Sequence, residues 1–229
     1  MADPKPPLAS VLERTLLRPN VRAAELHAAC DEAAAIGLGC LVVYPAHVAY
    51  ARARLARGVR LCAAIGYPFG VDGAAAQRAA AEHAIAEGAD EVEVVASIPL
   101  LVHDELVAVR DELRSIGAVC RSGVRSTPVR VVVDACYLSP GQLVLAAKAA
   151  DSADAEMVVC SSGFGPQGAT VEAVATLRRA LPPEVLVKAQ GGVRTLADAQ
   201  RLRAAGAARV GVADAAAIIS EAAEGRHTA

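Results

Sequence analysis

The chain has 229 residues, 54% of them hydrophobic, with a formal net charge of −2, two Phe, four Tyr and no Trp. That length and apolar content suit one domain with a substantial core, and the lack of any run of about eighteen apolar residues argues against a membrane span. A near-neutral chain poor in aromatics offers neither a basic patch nor a stacking platform, so nucleic acid is not an expected partner.

In chain order, mostly apolar runs predict strands near 10–17, 38–44, 60–66, 91–96, 129–135, 155–161, 185–190 and 208–212, the pattern of strands covered on both faces. Ala-rich helical patterns fill the intervals near 23–36, 46–57, 73–87, 101–116, 139–151, 170–180, 195–204 and 214–223. Ile36-Gly37, Glu87-Gly88 and Ala205-Gly206 place C-cap glycines before the next strand. Eight alternating strands and helices predict an α/β fold, a single-domain TIM (β/α)8 barrel over 1–229. A doubly wound open sheet is the competitor, but no Gly-x-Gly-x-x-Gly turn follows Leu17. The Pro-rich leader 1–8 and the polar tail 224–229 are expected to be flexible.

The six cysteines, at 30, 40, 62, 120, 136 and 160, form no CxxC pair, and four stand in apolar runs. Reduced thiols are expected rather than disulfides. Met1-Ala-Asp-Pro-Lys-Pro-Pro lacks the apolar core of a signal peptide, and with the reduced thiols this predicts a cytoplasmic location.

The most informative residue is Lys188. The chain uses twenty arginines and three lysines, and Lys188 alone among the lysines ends an apolar run, Val185-Leu186-Val187. A buried ammonium is rare unless paired or functional, and burial lowers a lysine pKa toward a neutral, nucleophilic amine. Period-two alternation groups Lys188 with Leu186 and Gln190, and Glu93 with Glu91 and Val95. Lysine and carboxylate are thereby predicted to meet inside the barrel. Glu13 and Asp134 are two further acids on predicted strands, and all four are candidate catalytic residues; for the acids the competing account is a strand end or an ion pair.

Two glycine-rich turns follow: Ser161-Ser162-Gly163-Phe164-Gly165 after strand six and Gly191-Gly192 after strand seven. Such turns bare backbone N–H groups, which in barrels hold anions, although a tight turn alone explains them equally. Ser161, Gly163, Gln190, Gly191, Gly192 and Arg194 are candidate substrate-binding residues. The histidines His27, His47, His83, His103 and His227 are scattered without metal-ligand spacing, so neither a metal nor a cofactor is expected. Ser161 and Ser162 lack a Gly-x-Ser-x-Gly elbow, and alternation turns Cys160 toward a helix.

Taken together, Thr15-Leu-Leu-Arg-Pro, Ile65-Gly-Tyr-Pro-Phe-Gly, Gly88-Ala-Asp-Glu-Val-Glu, Ser161-Ser-Gly-Phe and Val187-Lys-Ala-Gln-Gly-Gly-Val-Arg-Thr resemble the deoxyribose-phosphate aldolase family over about the whole chain. The resemblance implies a TIM barrel of the class I aldolases, with a lysine Schiff base, acids and a second lysine that move protons, a small carbonyl substrate and often a homodimer, a state that no sequence stripe here marks. It also implies departures. The family's Schiff-base lysine falls at Val159, its auxiliary lysine at Lys188, its relay aspartates at Glu93 and Glu13, its strand-five glutamate at Asp134 and its strand-two cysteine at Val42. After strand eight, the serines of its phosphate site become Ala213 and Asp214.

Every acid is kept at altered length, which implies a rebuilt site rather than a relic. Asp214 beside a phosphate would be repulsive, so a non-phosphorylated substrate is expected, with Asp214 binding hydroxyls or an ammonium; its plainer role is a helix N-cap. The expected activity is aldol-type carbon–carbon chemistry, or a related carbonyl addition or cyclisation, with Lys188 as amine or electrophile. The alternatives are an inactive barrel that binds a metabolite or protein, and a deoxyribose-5-phosphate aldolase with its lysine relocated.

Overall fold

A computed structural model describes residues 7–123 and 126–227. Eight strands, β1 (Leu12–Leu16), β2 (Cys40–Val43), β3 (Arg60–Ile65), β4 (Glu91–Val95), β5 (Val129–Val132), β6 (Met157–Val159), β7 (Leu186–Gln190) and β8 (Arg209–Val212), pair in parallel and close as β1 onto β8. The helices are α1 (Leu8–Val11), α2 (Ala23–Ile36), α3 (Val48–Arg54), α4 (Ala74–Ala86), α5 (Ile98–Val102), α6 (Leu106–Arg121), α7 (Pro140–Asp151), α8 (Val171–Ala180), α9 (Leu196–Ala204) and α10 (Ala215–His227). This is the predicted TIM barrel.

The main apolar core lies between sheet and helices and takes alternate strand residues, such as Leu61, Ala63 and Ile65 of β3 and Val92 and Val94 of β4. The other alternate set faces the barrel axis. It forms two small apolar groups, Leu17 with Cys40, Val42, Cys62 and Ala64, and Val95 with Val132 and Val159, and Tyr67 packs on both. Apart from Leu186, the remaining inward positions of β1, β4, β5, β7 and β8 are polar, charged or glycine, so the barrel interior is where the chemistry-bearing side chains concentrate.

Several details depart from the sequence expectation. The helix predicted over 101–116 is two, broken where Asp104 takes φ +59°, a left-handed conformation that aspartate tolerates. The start of the predicted first strand is the short helix α1, and Leu8, assigned to a flexible leader, begins it. At the other end α10 runs through His227, because the Ala-rich run from Ala215 favours helix beyond the polar boundary; residues 1–6, 228 and 229 lie outside the described ones. Gly37 ends α2 in the left-handed conformation as expected, with φ 66°. No helix among the described residues is long and apolar enough to cross a membrane, and all six cysteines are free thiols.

Candidate active site

Lys188 and the two glutamates come together as alternation predicts. The fully buried Lys188 ammonium lies 2.6 Å from Glu93 and 2.8 Å from Glu13, both also fully buried. Arg130 of β5 bridges Glu13 at 2.6 Å and also pairs with Glu91 and Glu93, while Arg209 of β8 lies 3.0 Å from Glu13 and 3.1 Å from Glu91. Arg60 of β3, partly exposed, adds a fourth cation 3.3 Å from Glu91, so three carboxylates face four cations. Burial alone would disfavour each ion, and reciprocal pairing is what lets the cluster persist.

The electrostatics correct the expectation of a neutral amine. Burial does push the Lys188 pKa down, but Glu13 and Glu93 outweigh it and hold it above its ordinary value. Lys188 is therefore an ammonium at neutral pH. Burial likewise pushes Glu13 up, whereas Arg130, Lys188 and Arg209 prevail and hold it well below the carboxylate range. Register explains why the cluster is closed: Glu13 and Arg130 are second in their strands, Glu91 and Arg209 first. These charges fill the N-terminal half of the barrel rather than its mouth, and Lys188 sits mid-strand beneath the mouth.

The mouth holds a cleft of about 450 Å³ at the C-terminal strand ends, lined by residues 14–18 of β1 and its loop, by Glu25 of α2, by Ser162 to Phe164, by Gln190 to Arg194, and by Gly211 and Ala213. Gly163, Gln190, Gly191, Gly192 and Arg194 are thus where sequence placed them. Gly191 has φ 88°, and a Cβ there would come within 2.9 Å of the Gly163 Cα. The β6 and β7 loops meet backbone to backbone, so the glycine doublet is a close approach as well as a turn. Arg14 pairs with Glu32 and Arg18 with Glu25, whereas no acid pairs with Arg194 among the described residues.

Tyr67 connects mouth to cluster. Its hydroxyl donates to Glu93 and accepts from Gln190 Nε2 at 3.3 Å, and burial together with Glu93 pushes its pKa well above the usual phenol value. The remaining candidates stand apart. Asp134, left-handed at φ 48°, accepts from the Ser162 hydroxyl at 2.6 Å and the Ser162 N–H at 3.1 Å, so it shapes the β6 loop and does not join the cluster. Ser161 is buried, and its hydroxyl accepts from the Gly163 N–H at 3.0 Å, closing its own turn rather than reaching the cleft. Asp214 is exposed, accepts from the Ala217 N–H at 3.0 Å and caps α10. It does not line the cleft, which removes the repulsion expected against a phosphate. Val159 is fully buried beside Val95 and Val132.

Sequence reasoning missed Arg130, Arg209 and Tyr67. A cation inside Val129-Arg130-Val131-Val132-Val133 was the available signal for the first, the same argument that singled out Lys188. Tyr67 lay inside a quoted motif without an assigned role.

A closed parallel barrel carrying buried acids and lysine below a polar mouth defines an enzyme scaffold, and the comparisons with known proteins make it a lyase of aldolase-like type. The chain is 40% identical over 216 residues to the deoxyribose-phosphate aldolase of Rhodospirillum rubrum, covering 94% of this chain and 89% of that one. It is 34% identical to that of Thermoanaerobacter sp., covering 93% and 96%. The chain belongs to the deoxyribose-phosphate aldolase family. Among solved structures, it superposes on QR15, an aldolase, with TM-score 0.90 at 27% identity over 100% of this chain and 99% of that one. It also superposes on the deoxyribose phosphate aldolase of Aeropyrum pernix, described as a unique tetramer, with TM-score 0.85 at 28% identity over 94% and 91%. No family model matches the chain.

Proposed function

We propose that this protein catalyses aldol-type cleavage or formation of a carbon–carbon bond in a small phosphorylated hydroxy-carbonyl of the deoxyribose-5-phosphate class. The observation that carries this reading is the hydrogen-bonded chain from the cleft wall inward, Gln190 to Tyr67 to Glu93 to Lys188. The activity of the family supports the reaction class. The mouth supports the phosphate: Arg194 and the glycine turns line it, Asp214 is engaged elsewhere, and the one acid lining it, Glu25, is paired with Arg18.

In the cleavage direction the β-hydroxyl gives up its proton, the α–β carbon bond breaks, and its electron pair passes to the carbonyl fragment, which is then protonated at carbon. Glu93, working through Tyr67, takes and returns the proton. Lys188 stays protonated and, with Glu13 and Arg130, fixes the Glu93 carboxylate in place. Val159 supplies no amine, so the covalent route would require Lys188 to shed a proton held by two carboxylates.

Incubation with 2-deoxyribose 5-phosphate tests this by acetaldehyde release. Release is expected, falling by about 10² or more in Glu93→Gln, with no borohydride-trapped mass on the Lys188 peptide. Cleavage of 2-deoxyribose but not of its phosphate would overturn the phosphate assignment, and trapped mass on Lys188 would make it the nucleophile.

A further inference from the structure

Gln190 is 2% exposed and ends β7 two residues beyond Lys188. Its amide orientation is fixed by its neighbours. The Ser162 carbonyl can only accept, and Gln190 Nε2 donates to it at 3.0 Å. The Tyr67 hydroxyl spends its proton on Glu93 and so accepts from the same Nε2 at 3.3 Å. Both amide protons are therefore committed. The carbonyl Oε1 is buried and has no donor among the described residues. It is directed at Gly211, where a Cβ would stand only 2.7 Å from it, and both residues line the cleft.

A buried acceptor without a donor costs about 1–3 kcal/mol, and this one lies between the glycine turn at Gly191 and the acid–lysine cluster. We infer that Gln190 Oε1 is a specificity-determining acceptor for a hydroxyl carried by an anionic substrate, so that hydroxylated phosphate esters bind in preference to their deoxy counterparts. The inference rests on the phosphate-binding mouth proposed above. It adds to that reading a requirement for a hydroxyl donor on the carbon chain near the phosphate ester. Gly211 is part of the same device, since it is the absence of a side chain there that leaves Oε1 reachable.

Calorimetric titration of the whole protein with glycerol 3-phosphate and with propyl phosphate separates the two claims. The native protein is expected to favour glycerol 3-phosphate by about tenfold. That ratio should fall to about one in Gln190→Met, which removes the acceptor, and in Gly211→Ala, which covers it and guards against a folding defect in the first variant. Propyl phosphate binding as tightly as glycerol 3-phosphate to the native protein overturns the hydroxyl inference and leaves the anion site standing. A tenfold ratio retained in both variants also overturns it. Binding of neither ester removes the anion site and the inference built on it.

Discussion

Lys188 holds its proton because two carboxylates lie within 2.8 Å of it, and the same contacts make it costly to remove. Lys188→Met leaves Glu13 and Glu93 with one cation fewer in a site closed to water, and a loss of about 3–5 kcal/mol is expected from urea unfolding. Lys188→Met combined with Glu93→Gln should recover part of that loss, since one carboxylate is then removed along with its cation; a fully additive loss would contradict the coupling. Glu13 gives a pH signature. Its folded pKa lies below the unfolded value of 4.5, so its stabilisation is complete above that value and drains as pH falls below it. The urea midpoint should therefore drop more steeply between about pH 5 and 2 in the native protein than in Glu13→Gln. Asp214→Ala should cost about 1 kcal/mol through loss of the α10 cap and leave phosphate-ester affinity unchanged in the same titration.

At the scale of elements, Val159 and Lys188 are Cα partners across the β6–β7 ladder. A lysine introduced by Val159→Lys would face an existing ammonium in a buried setting, and both influences lower its pKa. Borohydride trapping with an aldehyde should then mark the peptide containing residue 159; an unmarked peptide in a folded variant would show that the strand no longer presents this position to substrate. Most of the eight strands were readable as mostly apolar runs bounded by glycine or polar turns, and β1 and β4 by the apolar residues that alternate with their acids. The break between α5 and α6 was not, since it depends on one left-handed residue, Asp104. In the site, alternation sufficed to bring Lys188 to Glu93. It could not give the protonation state, because that depends on two carboxylates, Glu13 and then Glu93, acting together against burial. Arg130 escaped notice as one of twenty arginines, and Asp214 needed its cap geometry to be separated from the mouth.

Across the whole molecule, the charges of the cluster divide largely by chain half. Glu13, Glu91 and Glu93 come from β1 and β4, whereas Arg130, Lys188 and Arg209 come from β5, β7 and β8. The acids of the cluster thus lie on the first four strands, together with one partly exposed cation, Arg60 of β3, and its other cations on the last four. Two copies of the first half would bring the carboxylates together with only the partly exposed Arg60 against them, and two copies of the second would bring together Arg130, Lys188 and Arg209, so each half matches the other better than its own kind. A chain divided between α6 and β5 should accordingly reassemble as a one-to-one pair when both pieces are co-expressed, with neither piece forming a stable pair with itself in sedimentation. Charge reversal of Arg130 and Lys188 to glutamate should abolish that reassembly. The cluster beneath the mouth is, in this sense, a lock that identifies the correct other half of the barrel.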